Sequence, residues 1–211
     1  MKKIMLIVSG VLMVAFIIGC IHKQDDTTLA AEIEENFSQI SNLSVEQALS
    51  SNPYDYINND YYENIVALGV PAVTVLEENY HNGTYSGLDS YIAALAIQDI
   101  TGLNLYECTG SDWSTAEEFF EQWDTTIQNL SDTFGKIMDS DISMSNKIYQ
   151  IEKYGVFGQT FLKKAKVTKN HTVEFDGKEV SIDEAIDEET VPDISKGEMK
   201  EVTDYLEGVV E

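Results

Sequence analysis

"DYYENIVALGVPAVTVLEENY", residues 60–80, reads as two short helices joined by a tight corner. Asp60 stands where a helix N-cap is wanted, and Tyr61, Ile65 and Leu68 recur at the spacing that places side chains on one helical face. Gly69 stops that helix, because a residue without a Cβ accepts the left-handed backbone at a helix end. Pro71 restarts it, its fixed φ suiting a first turn in which no N–H bond is lost. Val73, Val75, Leu76 and Tyr80 follow, so the stretch predicts a helical hairpin with an apolar seam.

A second stretch, "NKIYQIEKYGVFGQTFLKKA" at 146–165, overlays the first with Gly155 on Gly69. Ile151 then falls on Ile65, Tyr154 on Leu68, Phe161 on Val75 and Leu162 on Leu76, while Phe157 replaces Pro71. Two such hairpins predict a solenoid-like stack. "ALGVPAVTVLEEN" at 67–79 resembles a HEAT-type helical repeat, whose units carry a leucine, a glycine, often a proline, and apolar residues on the second helix. The pairing of "NPYDYI" with "YIAALAIQDITG" is also similar to lipoproteins of low-GC Gram-positive bacteria that have no assigned activity. That resemblance implies no catalytic residues.

The remaining segments extend a mainly α fold in one compact domain over residues 29–211. Helices are predicted at 29–40, from the capping box Ser44-Val45-Glu46-Gln47 to Ser50, and as a short turn after Asn52-Pro53. "GLDSYIAALAIQDITG", 87–102, is apolar around most of its circumference and therefore reads as a helix buried among others. Ser114-Thr115-Ala116-Glu117 forms a second capping box, opening one helix with Phe119, Phe120, Trp123, Ile127, Leu130 and Phe134 as core. "HTVEFDGKEVSI", 171–182, alternates apolar and polar residues around Asp176-Gly177, the signal of a small β-hairpin near residues 172–182. Acidic helices are expected at 183–188 and 195–209.

The N-terminal segment has a different character. Lys2 and Lys3 precede the apolar run from Ile4 to Ile18, and Gly19-Cys20 closes it. A charged n-region, an apolar h-region and a small residue before a cut make a secretory signal. The run is shorter than the about twenty apolar residues that a spanning helix needs. Ile17-Ile18-Gly19-Cys20 resembles the lipobox of bacterial lipoproteins, with Ile18 standing where a small residue is commoner. The resemblance implies removal of residues 1–19, lipid attachment at Cys20, a tether over 20–28 and an extracytoplasmic address. One acyl chain binds a membrane only marginally, so stable anchoring requires the two or three that such a cysteine carries.

Charge narrows the partners. Without Lys2 and Lys3 the chain carries 11 lysines against 37 acidic residues, a net charge of −26. Nucleic acid and anionic headgroups are repelled by such a surface. From Gln24 to Gly135 there are 20 Asp or Glu and no Lys or Arg, whereas ten lysines follow from Lys136 onward. The acidic stretch serves either to solubilise the domain or to meet a basic protein partner or several weakly held divalent cations. The absence of Arg beside abundant Asn, Ile and Tyr fits an AT-rich genome. With Cys20 acylated, Cys108 is the remaining thiol, so no intramolecular disulfide forms and the fold rests on its core.

Catalytic and metal motifs are sparse. His22, His81 and His171 lie far apart, and no His pair has the spacing of a zinc peptidase. Asp139, Asp141, Ser143 and Ser145 alternate like a calcium loop, but Met144 and Gln150 occupy the turn and bidentate positions, so a helix cap is the better reading. There is no Gly-x-Ser-x-Gly elbow, and Cys108 with His81 is the one nucleophile and base pair that can be named. Paired carboxylates, Glu77 with Glu78 or Glu117 with Glu118 and Glu121, have the residue types for glycan cleavage. The Glu-Ser pair common in helical wall-lytic enzymes occurs nowhere.

The expected function is therefore a membrane-anchored extracytoplasmic lipoprotein acting as a non-catalytic binding or scaffold module, with no cofactor and no metal. The alternative is a cell-envelope hydrolase acting on peptidoglycan or peptides through carboxylates. A solute-binding lipoprotein fits least, since such proteins are built of repeated strand-helix units.

Overall fold

The computed structural model describes residues 27–42, 50, 52–167, 172–182, 186 and 193–209. The signal segment expected at 1–19, Cys20, the helix expected at 44–50 and most of that at 183–188 lie outside the described residues. Helix α1 (residues 27–41) is followed by a 3-10 turn at Pro53–Tyr56. Then come α2 (Asp60–Ala67), α3 (Val70–His81), α4 (Leu88–Thr101), α5 (Leu105–Thr109), α6 (Ala116–Gln128), α7 (Leu130–Met138), α8 (Met144–Glu152) and α9 (Gly155–Val167). Strands β1 (Thr172–Phe175) and β2 (Lys178–Ser181) precede α10 (Lys196–Val209). Among the described residues the fold is mainly α with one small antiparallel hairpin, as the residue pattern predicts. Among the described residues no helix is long and apolar enough to cross a membrane.

The centre is α4. Ile92, Ala93, Ala94, Ala96 and Ile97 are fully buried, and α4 packs against α2, α3, α6 and α9. Both predicted helix–corner–helix pairs are present, as α2–α3 and α8–α9, but only α8 and α9 pack closely on each other; α2 and α3 each pack on α4 instead. The two pairs meet through shared helices: α4 touches α2, α3 and α9, and α10 touches α3 and α9. The bundle is thus organised around a common core helix, where a solenoid would lay one hairpin directly on the next.

The two corner glycines both have positive φ, 71° at Gly69 and 55° at Gly155. At Gly155 a Cβ would sit 2.0 Å from the Thr101 carbonyl oxygen, so this position is fixed by the close approach of the α4–α5 corner as well as by backbone conformation.

Three local readings are corrected. Asn59, not Asp60, caps α2, its side chain accepting from the N–H groups of Tyr61 and Tyr62, and it is Tyr62, not Tyr61, that faces the core beside Ile65. Thr115 caps α6 in a capping box with Glu118, one residue later than Ser114 with Glu117. The single helix expected from 114 breaks at Asn129 into α6 and α7, although its apolar side chains from Phe119 to Phe134 are all buried as expected.

The β-hairpin turns at Asp176 and Gly177, both with positive φ, as the two-residue turn requires. An isolated hairpin is marginal in water. Here Phe175 packs between Phe134 of α7 and Phe161 of α9, with ring centroids 5.3 and 5.5 Å away.

Candidate functional site

Two concave regions stand out. The first is a cleft of about 600 Å³ walled by α3, α6 and α10, with Glu77, Glu78, His81, Asp124, Asp204 and Tyr205 among its lining residues. Successive residues on a helix point about 100° apart, which sends Glu78 to solvent while Glu77 turns inward against α6 and α10. The Glu77 carboxylate accepts from the Trp123 indole N–H and, at 2.8 Å, from the Tyr205 hydroxyl. Burial pushes the Glu77 carboxyl up to about 7, against the lowering effect of both hydrogen bonds; the charges of Asp124 and Glu78 add to the rise. Burial and the facing Glu77 likewise hold the Tyr205 hydroxyl far above its ordinary range. His81 pairs with Asp124 at 3.4 Å, and burial raises the Asp124 carboxyl despite that partner. A carboxyl that titrates near neutrality in a cleft can pass a proton. It also ties three helices together, joining residues 128 positions apart in the chain.

The second region is a groove of about 300 Å³ lined by Tyr54, Gln98, Asn104, Tyr106, Asp112 and Trp113. Tyr54 and Tyr106 leave 55% and 59% of their surface in water. Trp113 is backed by Tyr91 and Phe119 at centroid distances of 4.9 and 5.0 Å.

The other sequence candidates are dispersed. Cys108 donates to the Lys153 carbonyl at 3.2 Å, and burial pushes its thiol up to about 12, so it is a poor nucleophile. It lies against the corner between α8 and α9, whereas His81 belongs to the Asp124 cleft. Glu117, Glu118 and Glu121 are all exposed, and Glu118 is engaged by Ser114 and Thr115. Ser143 caps α8, as expected of the calcium-like stretch. Among the described residues no group of three or more His, Cys, Asp or Glu is placed to hold a metal ion. Cys20, His22 and His171 lie outside the described residues.

Sequence reasoning named Glu77 only as one of several adjacent acids and missed its partners, since Trp123 and Tyr205 come from distant helices. It also missed the groove: Tyr54, Tyr106 and Trp113 come from three separate segments and share no period. Compared with protein-family models, with curated proteins and with solved structures, the chain matches none.

Proposed function

We propose that this protein is a lipoprotein held on the extracytoplasmic face of the membrane, where it acts as a non-catalytic binding or scaffold module. The observation that carries this reading is the order of Lys2-Lys3, the apolar run to Ile18, and the lipobox-like Ile17-Ile18-Gly19-Cys20. Acyl chains on Cys20 anchor the chain, and the helical domain is displayed beyond a short tether. Its acidic half meets a basic protein or loosely held divalent cations through exposed carboxylates such as Glu78, Glu117 and Glu121. The test is metabolic labelling with a fatty acid followed by membrane fractionation. The intact protein should be labelled, membrane-bound and open to added protease on whole cells, and Cys20→Ala should abolish the label. An unlabelled protein in the cytosol would overturn the reading.

One observation favours a second reading, a cell-envelope hydrolase. Glu77 keeps a carboxyl that titrates near 7 beside an open cleft, and a general acid has that property. On this reading zymography on peptidoglycan shows clearing by the wild-type protein and none by Glu77→Gln.

A further inference from the structure

We propose that the groove around Trp113 is a binding surface for an uncharged carbohydrate chain, whose sugar rings stack on Trp113, Tyr106 and Tyr54. This inference rests on the reading of the protein as a displayed binding module and supplies its ligand class.

A pyranose ring has an apolar face of C–H groups and a rim of hydroxyls, each both donor and acceptor. A site for it needs flat apolar surface at the centre and planar polar groups beside it. Tyr54, Tyr106 and Trp113 furnish the first; Gln98, Asn104 and Asp112 furnish the second. Asn104 uses its side-chain oxygen to cap α5 at the Glu107 N–H, which fixes the orientation of its amide group. Among the described residues the Gln98 side chain makes no hydrogen bond, so its amide is open to a ligand. The volume, about 300 Å³, falls at the lower end of the range for small-ligand clefts.

The platform is also rigid. Trp113 rests on Tyr91 and Phe119. Its loop is fastened by Thr109 to the Leu105 carbonyl, by Gln122 to the Asp112 carbonyl, and by Ser114 to Glu118. Aromatic surface already held in place loses little freedom when a ligand lands on it. Among the described residues Tyr61 and Tyr149 are exposed as well, but they stand apart from the groove, whereas Tyr54 and Tyr106 are half exposed and share it with Trp113.

Charge selects the occupant. Among the described residues the groove is lined by one carboxylate, Asp112, and by no cationic side chain, within a half of the chain that carries only acidic charges apart from His81. Nucleic acid and acidic polysaccharide are repelled. A basic peptide is drawn more strongly to the cleft, where Glu78, Asp124 and Asp204 gather. A neutral glycan suffers neither effect and uses the aromatic faces.

The test employs the full chain purified from membranes in a detergent without a sugar headgroup. It is titrated with uncharged oligomers of N-acetylglucosamine, β-linked glucose and α-linked glucose, and binding is followed by tryptophan fluorescence and calorimetry. At least one oligomer should bind saturably and with little dependence on salt. Tyr106→Ala and Trp113→Ala should each weaken it about tenfold or more, and Lys200→Ala on the exposed face of α10 should leave it unchanged. Tyr106 is exposed, so its variant folds even if loss of Trp113 loosens the loop. Absence of saturable binding across the panel, binding indifferent to Tyr106→Ala, or binding of basic peptides at this groove instead would overturn the proposal. An acylated membrane protein that binds no glycan defeats this inference alone, whereas an unacylated cytosolic protein that binds glycan defeats the tether alone.

Discussion

The cleft at Glu77 and the groove at Trp113 are both concave and both lined with polar groups, yet they spend those groups in opposite ways. In the cleft, Glu77 is engaged by Trp123 and Tyr205, and Asp124 by His81. In the groove, the Tyr54 hydroxyl meets Tyr91, while the half-exposed Tyr106 and the Gln98 amide face water. A shifted pKa therefore marks burial first and use second. The cleft reads as a latch that joins α3, α6 and α10, and the groove as a face with bonding capacity left over.

The largest expected effect separates the two regions through the backbone. In Gly155→Ala the new Cβ would fall 2.0 Å from the Thr101 carbonyl oxygen and 2.8 Å from the Leu103 nitrogen, pushing the corner that leads into Asn104 and Tyr106. The loss should be on the order of 3 kcal/mol in denaturant unfolding, from overpacking and positive φ together. Glycan binding should fall with it. Gly69→Ala, where the nearest atom outside the corner is 3.7 Å away, should cost only about 1–2 kcal/mol for its backbone conformation and leave binding intact. Equal losses at the two glycines would mean that the hairpins are not packed differently.

Next is the pH dependence of the latch. The folded-state pKa of Glu77 is raised from the ordinary glutamate value of 4.5 to about 7, so its stabilising effect is complete below the unfolded value and is lost as pH rises through the folded one. Stability should fall by on the order of 1–3 kcal/mol between about pH 4.5 and 7. Glu77→Gln should flatten that slope and Tyr106→Ala should keep it. An unchanged slope in Glu77→Gln would show that other carboxyls carry it.

The smallest effect is local. Thr115→Ala removes the side-chain acceptor that caps α6 directly after the Trp113 loop, and should cost about 1 kcal/mol in thermal or denaturant unfolding. Glycan affinity should change little, because Trp113 keeps its own backing by Tyr91 and Phe119.

What could be read from the chain is what is encoded locally. The helix corners at Gly69 and Gly155, the all-round apolar α4 and the Asp176-Gly177 turn each follow from a few neighbouring residues, and each is present. Caps slipped by one position where two good capping residues adjoin, as at Asn59-Asp60 and Ser114-Thr115, because only the backbone geometry decides between them. The break at Asn129 was hidden by an apolar series that continues across it into α7. Both candidate sites escaped for one reason: the Glu77 latch closes across 128 positions, and the groove draws on the 3-10 turn, the α4–α5 corner and the loop before α6. No periodicity connects such residues. Only packing brings them together.

The most direct test of the central claim, that this chain binds without cutting, is incubation of the purified protein with cell-wall glycan while bound protein and released sugar are followed together. The account predicts protein retained on the glycan, retention lost in Tyr106→Ala, and no new reducing ends. Soluble fragments released by the wild-type protein and abolished by Glu77→Gln would contradict it and make the cleft, not the groove, the seat of function.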